Sequence, residues 1–206
     1  DALGKLEAGA DMVQQLADAL THANEYLNIL QESGNLTNLK SLDFKVAVGG
    51  NYFFEIAKIK ALRNLWNVLA QAYEISISCH IITQPSKRNK TIYDYNVNLL
   101  RTTTECMSAV LGGSDSVFNL NYNSEYKKDN DFAERIAFNQ LLLLKEESYF
   151  DKVENPAEGS YYIETISTQL AEKALILFKA IEKDGGFLKQ LKNHTIQNRI
   201  ADSAKK

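Results

Sequence analysis

Ile75-Ser76-Ile77-Ser78-Cys79-His80-Ile81-Ile82-Thr83 alternates apolar with polar residues, and the polar loop Gln84-Pro85-Ser86-Lys87-Arg88-Asn89-Lys90 follows it. A helical stretch runs from about Tyr93 to Leu111, where Gly112-Gly113 stops it. Alternation of period two predicts a strand with Ile75, Ile77, Cys79 and Ile81 on one face. In a parallel α/β protein the loop after such a strand is where chemistry sits. This loop holds no acid, no histidine and no cysteine. The scaffold of an active site is legible before any active site is.

The same plan recurs on both sides. Upstream, Leu42 to Val48 reads as a strand with Phe44, Val46 and Val48 on one side. Gly49-Gly50 closes it and Asn51 is placed to cap the next helix. In that helix Phe54, Ala57, Ala61, Leu65, Val68 and Ala72 share a face, with Trp66 and Leu69 beside it and Lys58, Lys60, Arg63 and Asn67 elsewhere on the cylinder. Downstream, Val117 to Asn121 is a short strand, Ser124 to Asn130 a polar loop, and Asp131 to about Glu147 a helix carrying Phe132, Ile136, Leu141, Leu143 and Leu144. Strand starts near 42, 75 and 116 are spaced by roughly 30 to 40 residues, one strand plus its crossover helix. Three such units predict a parallel sheet with right-handed crossovers.

A helix over residues 10 to 31 precedes them, built on Val13, Leu16, Leu20, Ala23, Leu27 and Leu30, with Asp11 in its first turn and Gly34 past its end. After Asn155-Pro156 the pattern is helical alone: one long helix through Ile163, Ile166, Leu170, Ala174, Leu175, Leu177 and Ala180, then an amphipathic stretch from Phe187 to Ala204. The expected organisation is one domain over 1–206, with βα units in 1–154 and a helical extension in 155–206.

At 206 residues, 45% apolar and 24% charged, the composition is that of an ordinary soluble globular chain. Its 23 basic and 26 acidic residues give a net charge of -3, which argues against a nucleic-acid or anionic-membrane surface. No run of about 18 apolar residues marks a membrane span, and no basic-then-apolar leader is visible. Cys79 and Cys106 lie in different elements without paired spacing, so a reducing cytoplasm is expected. The chain opens at Asp1, as expected of a processed or truncated product or a piece of a longer one.

Residue chemistry gives no convincing catalytic set. His22, His80 and His194 fall on different elements, and Cys79 and His80, as strand neighbours, point to opposite faces. That disfavours both a metal site and a Cys–His nucleophile. Glu146-Glu147 and the pair Asp129 with Asp131 read as solvated faces or caps rather than acid–base pairs. Gly49-Gly50 reads as a tight turn rather than a phosphate cradle, since the fuller glycine fingerprint is missing. Lys87-Arg88 with Lys90 reads as a solvated loop rather than a phosphate grip. Lys205-Lys206 reads as the basic end that a helix dipole favours.

A family resemblance emerges from the ordered set of stretches. Glu7-Ala8-Gly9-Ala10, Gly49-Gly50-Asn51-Tyr52-Phe53-Phe54-Glu55-Ile56-Ala57-Lys58-Ile59-Lys60-Ala61 and Leu65-Trp66 come first. Leu100-Arg101-Thr102, Glu105-Cys106-Met107, Gly112-Gly113, Glu134-Arg135-Ile136-Ala137 with Asn139, and Glu146-Glu147-Ser148 follow. Asn155-Pro156 and Gly159-Ser160-Tyr161-Tyr162-Ile163-Glu164 complete the series. In order and spacing, from about residue 7 to residue 204, it resembles the methylmalonyl-CoA mutase family.

The resemblance implies an α/β fold that is part of a TIM (β/α)8 barrel: the later half of the substrate-binding barrel of an adenosylcobalamin-dependent acyl-CoA mutase. Three parallel βα units and additional C-terminal helices are expected, with no cobalamin-binding domain. Catalytic members isomerise methylmalonyl-CoA and succinyl-CoA, and their Tyr-His-x-Gln before Glu-Ala-Gly-Ala corresponds here to Leu3, Gly4, Lys5 and Leu6. Their substrate arginine matches Ser41, and their His-x-Gln-Thr-Ser-Gly-Trp matches Ile82 to Arg88, where only Gln84 and Ser86 persist. Their Gly-Gly-Thr-Gln-Ser-Leu-His matches Gly112 to Phe118, with Asp115 for the substrate glutamine and Phe118 for histidine. A carboxylate beside an anionic substrate costs affinity, and an apolar group in place of histidine removes a donor.

Framework kept and chemistry lost resembles the small, non-catalytic subunit of the heterodimeric mutases. On that reading no residue is catalytic, and Gln84 alone is a substrate-binding candidate. Adenosylcobalamin belongs to the holoenzyme and is bound by the large (alpha) subunit, with none on this chain. Two alternatives stay open: a divergent catalytic acyl-CoA mutase half whose cobalamin domain lies elsewhere, and an assembly module without a mutase role. An open barrel also leaves sheet edges to be covered, by further strands or by a second copy of the chain.

Overall fold

Three strands pair side by side, all parallel, in the order of the chain: β1 (Leu42–Val48), β2 (Cys79–Pro85) and β3 (Ser116–Val117). The computed structural model describes residues 2–127 and 130–205. Leu42 stands opposite Cys79 and Val48 opposite Pro85, while Ile82 and Thr83 pair with Ser116 and Val117. The predicted fold class holds. The α-helices are α1 (Leu3–Glu7), α2 (Met12–Glu32), α3 (Tyr52–Ala72), α4 (Val97–Leu111), α5 (Asp131–Leu142), α6 (Tyr161–Lys183), α7 (Gly186–Lys192) and α8 (Thr195–Ala204).

One continuous apolar core joins the sheet to α2, α3 and α6. Phe44, Val46, Val48, Cys79 and Ile81 supply its sheet side, as their alternation predicts. α3 lies at the centre, so Ile56, Ile59, Leu62, Leu65, Trp66 and Leu69 are buried around most of its circumference. Each such side chain contributes roughly 1.5–3 kcal/mol by leaving water. Trp66 also donates its indole N–H to Ile77 O at 2.9 Å and meets Phe44 edge-on at 5.8 Å. Asp11 caps α2 in a reciprocal box, its carboxylate accepting from Gln14 N and the Gln14 side chain accepting from Asp11 N.

Several expectations are corrected. Ile75 to Ser78 keep the alternating burial of a strand, but ladder pairing begins only at Cys79, and Gln84-Pro85 lie on β2 rather than in the loop. α4 starts at Val97, not near Tyr93, because residues 92–96 are turns held by Asn98, which bonds Thr91 N, Thr91 O and Tyr122 O. β3 stops at Val117 instead of running to Asn121. α5 passes at Leu143 into a π-turn ending at Glu147. Phe187 to Ala204 is two helices, broken at His194 with φ +59. Asn51 holds the N-cap position of α3 without a side-chain cap bond. α1 has no counterpart in the sequence reading.

α5 and the turn after it follow their expected apolar face only in part: Leu144 is buried and Ile136 and Leu141 half-buried, but Phe132 and Leu143 are about half exposed. Ala133, Ala137 and Gln140 face inward, while Phe132 and Phe138 are more than half exposed. Gln140 Nε2 donates to Leu99 O at 2.7 Å and Thr103 Oγ1 at 2.6 Å, so hydrogen bonds rather than large apolar groups dock α5 on α4. Beside it β3 has no outer neighbour among the described residues.

Gly112, where α4 ends, approaches α3 so closely that a Cβ would stand 3.0 Å from two Ile59 carbons and 3.1 Å from Ser108 O. Gly112→Ala is therefore expected to cost about 1–3 kcal/mol through overpacking. Urea unfolding checks it: the midpoint should fall with the slope unchanged.

Candidate functional site

The carboxyl end of the sheet is where loops 49–51 and 86–96 meet α1, and it is filled by two buried ion pairs. Lys58 Nζ lies 2.5 Å from Glu55 Oε2, one helical turn away, and donates to Ala47 O at 2.7 Å and Gln15 Oε1 at 3.1 Å. Lys90 Nζ lies 2.6 Å from Glu105 Oε2 and donates to Asn89 Oδ1 at 2.9 Å. Asn89 Nδ2 donates to Glu105 Oε1 at 2.5 Å, and Arg101 donates to Asn89 O. All four charged side chains are at most 3% exposed. Burial pushes the Glu105 carboxyl above the ordinary carboxylate range, with Lys90 and Asn89 offsetting only part of it. Burial likewise pulls the Lys90 ammonium down against the pull of Glu105.

These side chains pack between the sheet and its helices, on the side opposite Gln84. A Cβ on Gly49 would meet Glu55 Oε1 at 3.3 Å, and one on Gly50 would meet Asn89 Nδ2 at 3.2 Å, so the Gly-Gly turn is packed from inside. That is a tight turn, as expected, and not an open cradle. Lys58 and Lys90 are corrections, since sequence placed the first off the core face and the second in a solvated loop. The missed signal is Glu55-Ile56-Ala57-Lys58, an acid and a base at i, i+3 set among the apolar residues that α3 buries. Lys87 and Arg88 are exposed as predicted; Lys87 N donates to Glu7 Oε1 at 2.7 Å and its ammonium lies 3.5 Å from Glu125.

On the sheet face turned away from the core, the register sets Ala47 beside Gln84 and Lys45 beside Ile82, which pairs on its other side with Ser116. Phe118 N donates to Thr83 O, which continues the ladder and puts Phe118 next to Gln84. Gln84 is half-buried, flanked by a methyl group and an aromatic ring, with Ile82 below it on the same face. Asp115 precedes β3 near the amino end of the sheet, where its Oδ2 accepts from Ile81 N at 2.7 Å and Arg63 Nη2 at 2.8 Å. Burial alone would raise the Asp115 carboxyl, but those two donors hold it below the ordinary range. Ser41 is exposed just before β1. Leu3, Gly4, Lys5 and Leu6 lie on α1, with Leu6 reaching the Gly49 turn.

Cys79 and Cys106 are free and buried, with thiols pushed up to about 11 and about 12 by burial, which keeps them unreactive. Glu146, Glu147 and Asp131 are exposed; Asp129 and Lys206 lie outside the described residues. Lys205 pairs with Asp202 at 3.1 Å. His22 stacks between Tyr26 and Phe187 at 4.9 and 4.8 Å, His80 Nε2 lies 3.0 Å from Ser116 Oγ, and His194 marks the helix break. The cavity beside His22 measures about 40 Å³, room for a few waters and not for a corrin ring.

The family model described as methylmalonyl-CoA mutase matches residues 4–206. The chain belongs to the methylmalonyl-CoA mutase family. It is 41% identical to a methylmalonyl-CoA mutase small subunit of Porphyromonas gingivalis, over 97% of this chain and 34% of that protein. It is 36% identical to a methylmalonyl-CoA mutase small subunit of Streptomyces virginiae, over 98% of this chain and 33% of that protein. A methylmalonyl-CoA mutase of Rhizobium meliloti is 36% identical over 96% of this chain and 28% of its own length. The chain thus spans about a third of the length of the curated relatives it matches. No helix among the described residues is long and apolar enough to cross a membrane.

Breaking one buried pair leaves an uncompensated charge. Lys90→Met is expected to lower stability by about 3–5 kcal/mol, and Lys90→Met with Glu105→Leu to restore most of it, because two apolar groups need no partner. The wild-type carboxyl is raised, so its charge costs stability once pH rises above the ordinary glutamate value of about 4.3, and the double variant should lose that decline. Chemical denaturation of the three proteins between pH 4 and 8 reads both effects.

Proposed function

We propose that this chain is part of the substrate-type barrel of a small, non-catalytic methylmalonyl-CoA mutase subunit. The observation that carries the reading is what surrounds Gln84: Ile82 and Phe118 stand beside it where the resemblance places the histidines of catalytic members, while the ion pairs Lys58–Glu55 and Lys90–Glu105 belong to the kept framework. A kept scaffold without those histidines suits a subunit that supports its partner's isomerisation of methylmalonyl-CoA and succinyl-CoA rather than one that turns over substrate.

The partner on this reading is a large subunit in a heterodimer, in keeping with the names of the relatives. It holds the adenosylcobalamin; when bound there, that group supplies the radical that starts the rearrangement. This chain's contribution is one domain over 1–206, its βα units in 1–154 and its helices in 155–206. The open side of β3 and the exposed Phe118 and Phe138 are where further barrel strands of the subunit would pack. A cytoplasmic setting fits the two free cysteines.

Isomerisation assays of the chain alone, and of large subunit with and without it, test the reading. The expected result is no turnover by the chain with added adenosylcobalamin, and higher or more stable large-subunit activity in its presence. Turnover by the chain alone would overturn it. Calorimetric titration with methylmalonyl-CoA should show no tight binding; a stoichiometric complex weakened by Gln84→Ala would favour a catalytic half instead.

A further inference from the structure

Away from the sheet's mouth, Asp18 is the most confined charge on α2. Its side chain is fully buried, yet its two cations reach it only at long range: Lys5 Nζ of α1 lies 3.5 Å from Oδ2, and Arg199 Nη2 of α8 donates a long hydrogen bond of 3.4 Å to Oδ1. Asp18 Oδ2 and Arg199 Nε are buried without a hydrogen-bond partner among the described residues. Paired in this way, a buried carboxylate recovers little of its desolvation. The small cavity at Asp18 is lined also by His22 of α2 and Asp43 of β1. Asp11 of α2 adds a like charge, and Lys5 lies over the Phe187 ring of α7 at 5.3 Å.

The two helices that Asp18 holds lie on the loop after β2. Glu7 at the end of α1 accepts from Lys87 N. Gly9, with φ +100, lets the chain pass so close to α8 that a Cβ would sit 2.4 Å from Ala204 Cβ and 3.0 Å from Arg88 Nη1. Ala10, Phe187, Ile196 and Ile200 form a small core of their own beneath this junction, separate from the main one. Ala2 N donates to Lys45 O at 2.8 Å, so α1 also covers the outer edge of β1.

We propose that α1 and α8 form a clasp over the 86–90 loop, pinned on Asp18, which tightens as the solution is acidified. In the closed clasp the charged carboxylate is poorly compensated, whereas in the open clasp water solvates it. Burial outweighs Lys5 and Arg199 and raises the Asp18 carboxyl. The sign follows: the closed form holds the proton more firmly, so closure gains as pH falls through the raised value and levels off near the ordinary aspartate value of about 3.9. A simple salt-bridge latch would behave the other way and loosen in acid.

Amide hydrogen exchange of the full chain, corrected for intrinsic rates, tests the proposal between pH 7 and 4.5. Protection of residues 196–200 and of Lys87 N is expected to rise together by roughly threefold or more on acidification. Asp18→Asn, an uncharged isostere, should be flat with pH and as protected at pH 7 as the acidified wild type. Arg199→Met removes a cation and should widen the pH response, while His22→Gln should leave it in place. Protection that falls in acid, or an Asp18→Asn chain less protected than wild type at pH 7, would overturn the clasp. A rise confined to α8 without Lys87 would overturn its reach to the loop. Should Asp18→Asn fail to fold, the wild-type profile and Arg199→Met decide.

Discussion

A lysine and a glutamate withdrawn from water together lose several kcal/mol of solvation each, and recover most of it only at hydrogen-bond distance. At the carboxyl end of the sheet this happens twice, at 2.5 Å for Lys58 with Glu55 and 2.6 Å for Lys90 with Glu105. Such pairs add little net stability, because attraction in a poorly polarisable interior is spent against desolvation. Their value is geometric. Lys58 ties α3 to Ala47 O of β1 and to Gln15 of α2, while Lys90 and Asn89 tie the loop after β2 to α4. One pair thus fixes α3 against β1 and α2, and the other fixes the loop after β2 against α4.

That constraint separates scaffold from chemistry. The paired charges belong to the layer between sheet and helices, with at most 3% of each exposed, and stand apart from the sheet face that carries Gln84. Gly49 and Gly50 belong to the same packing, each with a polar atom of the knot standing at tight contact distance from where a side chain would begin. On the open sheet face Gln84 keeps a polar head, but its register neighbours Ala47 and Phe118 offer it no charged or strongly donating partner.

The sequence made the sheet legible through alternation, since Phe44, Val46, Val48, Cys79 and Ile81 are all buried on one side. It misplaced the beginning of β2 because alternation reports which face a residue takes, not whether a neighbouring strand is there to pair with it. Ile75 and Ile77 are half-buried beyond the point where β1 begins at Leu42. The candidate site was less legible. Lysine reads as solvated by default, and only the three-dimensional neighbourhood of α3, enclosed on most sides, turns Lys58 inward. The family resemblance sets Asp115 where catalytic members carry a substrate glutamine, and here its carboxylate accepts from Arg63 and the Ile81 amide, partners that the resemblance does not name.

α5 shows the same logic in reverse. A helix carrying Phe132, Phe138, Leu142 and Leu143 would ordinarily turn those residues to the core, and here they are 40–60% exposed. Its inward face is small because Ala133 and Ala137 allow close approach, and Gln140 then satisfies itself on Leu99 O and the Thr102 and Thr103 hydroxyls. Polar docking of this kind fixes orientation and leaves the large side chains free for another surface. Val117 and Leu141 line two adjoining hollows, of about 390 and 220 Å³, on that same side. The apolar side of α5 and the unpaired side of β3 therefore face one direction. In the barrel proposed for this subunit that is the direction in which the sheet continues, and burying both surfaces at once would make closure cooperative rather than strand by strand.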